Sequence, residues 1–329
     1  MKHGLLALNS LRIPPGDYSG KDQLANRGLR MIALFWTARL FVVRRLIFNA
    51  DDFGLTAGIN YAIIEAHTHG VLTSASLMAN ASATSEALQT ARMYPRLGLG
   101  CHVVLVDGEP LTDPARLSSL VPRGSSAFGK NVGKLAARTL FGRVDRDQIE
   151  VEATAQFREL QSQGITFTHF DTHKHTHMFP GVLEGLLRSA RVCGIPAVRN
   201  PFEPPHSLTS SFAQNRALWK RSLQTIALRL LREDFLKLVH RAGLKTTDGT
   251  VGIAATGSLD APLFKRMLDD LPEGTWEFVC HPGYCDEELR AANTRLLKSR
   301  ETELQLLTAT ETREQLEHAG IALISYADL

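Results

Sequence analysis

From Leu46 onward, short apolar runs alternate with segments of helical periodicity, and this restricts the fold more than any other feature of the chain. Residues 46–49 read as a buried strand. Residues 59–69 follow with Ile59, Ala62, Ile63 and Ala66 at helical spacing. The same alternation predicts strands at 74–78, 99–106 and 166–170, with helices at 85–93 and 148–163, the latter closed by Gly164. A helix at 180–192 has Pro180 at its start and Cys193-Gly194 at its end. Shorter strands are expected at 197–199, 249–254 and 276–280. Strands that alternate with helices form right-handed βαβ units around a parallel sheet, with ligands at the carboxyl ends of the strands. A chain of 329 residues suffices for one α/β barrel, and no internal repeat or break in composition demands a second domain in residues 44–329.

Composition excludes little else. The formal charge of +3 calls for no nucleic acid. The cysteines (Cys101, Cys193, Cys280, Cys285) form no CxxC pair, which favours reduced thiols in a cytoplasmic protein. Residues 1–43 are an N-terminal extension with a poor signal-peptide pattern. Its apolar stretch, 31–43, is 13 residues long, against the roughly 20 that cross a bilayer. That stretch is either a helix at a surface or interface, or sequence lying around a true start at Met31. A basic segment, 206–245, holds eight Lys/Arg against Glu233 and Asp234, a net of +6. Its Trp219, Leu223, Ile226 and Leu230 fall at helical spacing. Such a pattern ordinarily lays its apolar stripe on the core; the alternative is a docking surface for anionic membrane or an amphiphilic substrate.

Four motifs carry chemistry. Asn49-Ala50-Asp51-Asp52-Phe53-Gly54 puts two carboxylates at the end of an apolar strand, where unpaired charge is costly. Neighbours on a strand face opposite ways, so Asp51 and Asp52 should have different partners. In Thr168-His169-Phe170-Asp171-Thr172-His173-Lys174-His175-Thr176-His177 every potential ligand is odd-numbered. An extended chain would show them on one face, with His169 and His177 roughly 26 Å apart. They cannot all share one ion, and the chain has to bend after the strand. His102 in Gly100-Cys101-His102 and His281 in Cys280-His281-Pro282-Gly283 each lie at a predicted strand end. One Asp and two His leave coordination positions open on a divalent cation. A second carboxylate can take a proton from water and an opposing histidine can protonate a leaving group. This is equipment for metal-assisted hydrolysis of an amide or ester. No Gly-x-Ser-x-Gly elbow or phosphate-binding Walker loop competes with it.

Taken together, these motifs resemble the YdjC-like carbohydrate deacetylases over about residues 44–329. The resemblance implies a distorted, incomplete β/α barrel of the NodB-like deacetylase type and metal-dependent removal of acetyl groups from N-acetylated sugars. By motif position, Asp52, His102 and His173 would hold the one divalent ion, with magnesium and zinc both acceptable. Asp51 would be the general base and His281 the general acid. His175, His177, Asp171 and Arg199 would belong to the substrate pocket. Residues 197–204, the basic insertion and residues 276–284 look most like the hopanoid-biosynthesis branch. That implies an N-acetylglucosaminyl lipid as substrate, and the basic amphipathic segment 206–245 then favours peripheral contact with the inner membrane face; a homodimer is a separate expectation, which the sequence does not specify. Soluble chito-oligosaccharides are the alternative substrate. A two-metal phosphoesterase and a non-catalytic lectin-like protein are the competing classes.

Overall fold

A computed structural model describes residues 44–205, 219–292 and 294–329. The N-terminal extension and residues 206–218 of the basic segment lie outside the described residues. Val43–Leu329 form one compact unit. Its strands are β1 (Arg44–Phe53), β2 (Ser74–Leu77), β3 (Gly98–Val103), β4 (His169–Thr172), β5 (Gly249–Val251), β6 (Gly274–Cys280) and β7 (Ile321–Leu323). All pair in parallel, in the order β4-β3-β2-β1-β6-β5, with β7 pairing the first residues of β1. Beyond β4 the ladder thins to single bridges, Phe170 to Val198 and Ala197 to Lys245, and Thr250 N donates to Phe202 O (3.2 Å). The sheet therefore curls almost into a ring and is completed by irregular extended chain. This is the distorted α/β barrel that the sequence predicts.

Alternation along the strands sorts side chains into two environments. Leu46, Phe48 and Ala50 of β1, Ala75 and Leu77 of β2, Cys101 and Val103 of β3, Phe170, Val198, and Trp276, Phe278 and Cys280 of β6 join the main apolar core under the helices. The residues that alternate with them, among them Asn49, Asp51, Ser76, His102, His169, Asp171 and Glu277, face the barrel interior. Its amino-terminal end is closed by a small apolar plug of Ile47, Ala197 and Tyr326. Above the plug the interior is polar: Asn49, Asp51, Ser76, His102, His169, Asp171, Arg199 and Glu277 are all buried.

The helices begin and end where local chemistry allows. Thr56 caps Ala57–His69 by accepting from Ile59 N (3.3 Å), and Ile59, Ala62, Ile63 and Ala66 are buried as their spacing predicts. Pro180–Cys193 starts on a proline and ends at Gly194 in the left-handed conformation (φ 70°). The basic segment departs from the expectation of a core stripe. In Trp219–Leu228 and the turn after it, Trp219, Leu223, Ile226 and Leu230 are exposed, Leu230 by 85%. The cations Arg221 and Arg229 turn inward instead, to the carbonyls of Thr256 and Glu203. All four cysteines are free thiols.

Candidate functional site

The carboxyl ends of β1, β3, β4 and β6 bring the predicted residues to one rim. β1 loses its regular register with β2 between Ala50 and Phe53, and Asp52 takes a left-handed backbone (φ 64°). Asp tolerates that conformation better than most residues, and Leu55 N fixes the turn on Asp52 O (3.0 Å). The two adjacent carboxylates consequently diverge. Asp51 continues the inward face, while Asp52 turns to His102, His173 and Arg300.

Asp52, His102 and His173 offer one ligand atom each, all within 4.8 Å of one another. Asp52 Oδ1 lies 3.5 Å from His102 Nε2 and 3.3 Å from His173 Nδ1. Asp52 Oδ2 is taken by Arg300 (2.5 Å). His102 is directed by register: it pairs with Asp171 across β3 and β4, and its Nδ1 meets Asp171 Oδ1 at 2.7 Å. That bond leaves Nε2 turned to Asp52, the arrangement a carboxylate-supported histidine ligand needs. His173 follows β4 in a short 3-10 turn, kinked by left-handed Lys174 and His175 (φ 56° and 53°). The bend required by the alternating histidines falls here.

The electrostatics suit a cation. Burial pushes Asp52 up, but Arg300, His173 and His102 outweigh it and hold the carboxyl well below its ordinary value. Burial works against a charged His102, yet Asp171, Asp51 and Asp52 raise it to about 9. The field that draws a proton to this imidazole also draws a metal ion. Asp51, His102 and Asp171 also converge within 4.8 Å, but Arg199 already bridges those two carboxylates.

Asp51 is gripped by both terminal nitrogens of Arg199 (2.9 and 2.6 Å). Burial raises its carboxyl, but Arg199 and His102 together outweigh this and leave it below its ordinary value. His281 follows β6 directly, with Nε2 3.9 Å from Asp51 Oδ2. Glu303 receives the His281 backbone N–H (2.6 Å) and lies 3.7 Å from its Nδ1. The site opens narrowly: His173 is 19% exposed and His281 9%.

The four residues expected in the pocket divide. His175 is partly exposed, and burial lowers its imidazole to about 3, so it is neutral at ordinary pH. Its Nδ1 has no hydrogen-bond partner among the described residues. His177 is buried and held by Thr172 Oγ1 (2.8 Å). Asp171 and Arg199 have no exposed surface and stand behind the rim as supports. His169 is also a support: its Nδ1 meets Thr168 Oγ1 (2.9 Å) and its ring stacks on Tyr326.

Sequence reasoning missed Arg300, Glu303, Glu277, Ser76 and Tyr326. A signal existed for two of them. Arg300 and Glu303 fall in phase with Leu304 and Leu307 on the buried stripe of Lys298–Thr308. Charge on an apolar helical face marks a buried ionic role.

Residues 45–318 match the family described as YdjC-like protein. The chain belongs to the YdjC-like family. Relatives include a carbohydrate deacetylase of Thermoanaerobacter pseudethanolicus, 29% identical over 87% of this chain and 100% of its own. The chitooligosaccharide deacetylase of Escherichia fergusonii is 31% identical over 87% of this chain and 99% of its own. Among solved structures, an Enterococcus faecalis protein described as acting in cellobiose-phosphate cleavage superposes with a TM-score of 0.70. It is 26% identical and covers 87% of this chain and 98% of its own. The YdjC-like match thus spans the rim strands and the site residues named above except Tyr326, which follows the matched range.

Proposed function

We propose that this chain hydrolyses the acetamide of an N-acetylglucosamine unit, with Asp52, His102 and His173 as ligands to one divalent cation. The observation that carries this reading is the triad of ligand atoms beside a separately held carboxylate, Asp51, that faces His281. Two imidazoles and one carboxylate suit zinc or a similar transition ion better than magnesium, which prefers oxygen ligands. A cation held there supplies Lewis-acid polarisation of the acetyl carbonyl and of water.

The chain's own groups do the rest. Arg199 keeps Asp51 ionised and aimed, so it accepts the proton of the attacking water. His281, backed by Glu303, delivers a proton to the departing amine nitrogen. Removing the base of such a pair costs about 10²–10⁴-fold in rate.

The carrier of the sugar is read as a lipid, of the hopanoid type. The exposed Trp219, Leu223, Ile226 and Leu230 support this, because a row of large apolar side chains suits contact with an amphiphile. The names of the relatives favour a second reading, a soluble chito-oligosaccharide.

Acetate release from an N-acetylglucosaminyl hopanoid and from diacetylchitobiose, using protein stripped of metal and reloaded, separates the two. Metal-dependent release from the lipid, lost by about 10²-fold or more in Asp51→Asn with metal binding intact, is expected. Release from diacetylchitobiose alone would keep the chemistry and replace the carrier. No release from either, or full activity in Asp51→Asn, would overturn the assignment.

A further inference from the structure

The grip of Arg199 on Asp51 is itself anchored from the far end of the barrel. After β7 the chain makes a short turn, Tyr326–Asp328, closed by a capping box: Ser325 Oγ accepts from Ala327 N (3.1 Å) and Ser325 N donates to Asp328 Oδ2 (2.7 Å). This turn lodges Tyr326 in the apolar plug, with its N–H on Ser74 Oγ (3.2 Å). Its ring stacks on His169, centroids 3.7 Å apart and planes 12° apart. From there the phenol donates to Glu277 Oε2 (2.5 Å), which also accepts from Thr250 Oγ1 (3.2 Å).

Glu277 Oε1 accepts from Arg199 Nε (2.8 Å) and lies 2.7 Å from Nη2. A guanidinium is a rigid planar fork, so a carboxylate on its Nε edge fixes its plane as well as its position. Without that third partner, Arg199 would be shared by Asp51 and Asp171 alone, with nothing holding it away from the rim. Every residue of this relay is buried: Tyr326 is 2% exposed, Glu277 and Arg199 0%. The Tyr326 hydroxyl and the Glu277 carboxylate never reach the rim, so neither can touch substrate.

We propose that Tyr326 and Glu277 are positioning residues for Asp51, forming a strut that runs from the plug at the amino-terminal end of the barrel through Arg199 to the base. The proposal rests on the reading of Asp51 as the base. Its distinct content is that a hydroxyl close to the last residue of the chain sets the turnover rate through two intervening side chains.

Tyr326→Phe removes the hydroxyl and keeps the stacked ring. Using the acetylated sugar that turns over in the assay above, kcat is expected to fall about tenfold, with KM, metal stoichiometry and melting temperature near those of the parent. The Arg199 Nε–H signal in the NMR spectrum should move, since that proton lies on Glu277. Glu277→Gln is expected to lower kcat as well, and adding Tyr326→Phe to it should cost little more, since both act through one contact. Parental kcat in Tyr326→Phe, or a full additional loss in the double variant, would overturn the strut while Asp51→Asn remained inactive. Activity retained in Asp51→Asn would instead overturn the base assignment, and the strut's role in catalysis with it. If Tyr326→Phe failed to fold, Glu277→Gln with parental kcat would be the overturning result.

Discussion

At the scale of single residues the molecule isolates opposed titrations in neighbouring places. The rim carboxylates Asp51 and Asp52 are held below their ordinary range by guanidinium partners, so their contribution to stability is present at neutral pH and is lost as pH falls toward acid. Glu203 does the reverse. It is fully buried, and although Ala254 N reaches Oε1 (3.2 Å), burial pushes its carboxyl up from 4.5 to about 7. Between those two values the folded chain holds a proton that the unfolded chain has released. Stability from this group is therefore complete below 4.5 and disappears as pH rises through about 7. A shift of that size corresponds to about 3 kcal/mol. Glu203→Gln should flatten this part of the profile and raise the melting temperature at about pH 8 more than at about pH 5. An unchanged difference between the two pH values would show that Glu203 is not the proton-linked group.

At the scale of elements, the β3–β4 pair does the most to set up the site, and a glycine makes it possible. Gly100 faces His169 across the ladder, and a Cβ on it would lie 2.4 Å from His169 Nε2. Gly100→Ala should push the ring off Ser76 and Tyr326 and disturb the His102–Asp171 pair two positions along the ladder, costing about 1–3 kcal/mol in denaturant unfolding. A parental unfolding midpoint would mean that the ring has space to move. The strands that matter here were legible in the sequence because β1, β3, β4 and β6 are apolar on one face and end in His or Asp. Residues 197–202 were only partly legible: their pairing consists of single bridges set by tertiary packing, with no run of strand formers to announce it. The supports were hidden for a related reason. Glu277 sits among Trp276, Phe278 and Val279, and only knowledge of which alternate face lines a polar barrel distinguishes it from an ordinary strand carboxylate. The apolar stripe of 219–230 was visible as a period, but its outward orientation depends on the carbonyls that Arg221 and Arg229 find.

At the scale of the whole molecule, the proposed cation ligands Asp52, His102 and His173 come from three strand ends far apart in sequence, so metal binding would report on the assembled barrel. A cation that binds the folded chain alone should stabilise it by about 2.7 kcal/mol at a hundred times its dissociation constant. Thermal unfolding of stripped protein titrated with zinc should show this shift at one ion per chain, and Asp52→Ala should abolish it. Two ions per chain would contradict the bridging of Asp51 and Asp171 by Arg199 and would return a two-metal hydrolase to consideration. No helix of the described residues is long and apolar enough to cross a membrane; under the lipid reading proposed above, the exposed stripe of Trp219, Leu223, Ile226 and Leu230 is the surface to test. Vesicle co-sedimentation should weaken when Leu223 and Leu230 are both replaced by Ser, with turnover of diacetylchitobiose unaffected.

The guanidinium wedged among Asp51, Asp171 and Glu277 has one further consequence. Together with Arg300 on Asp52, it is a counter-charge that is covalently part of the chain and cannot diffuse away. The buried anions keep a resident partner with or without a cation, so protein stripped of metal should stay folded and take up zinc again without refolding.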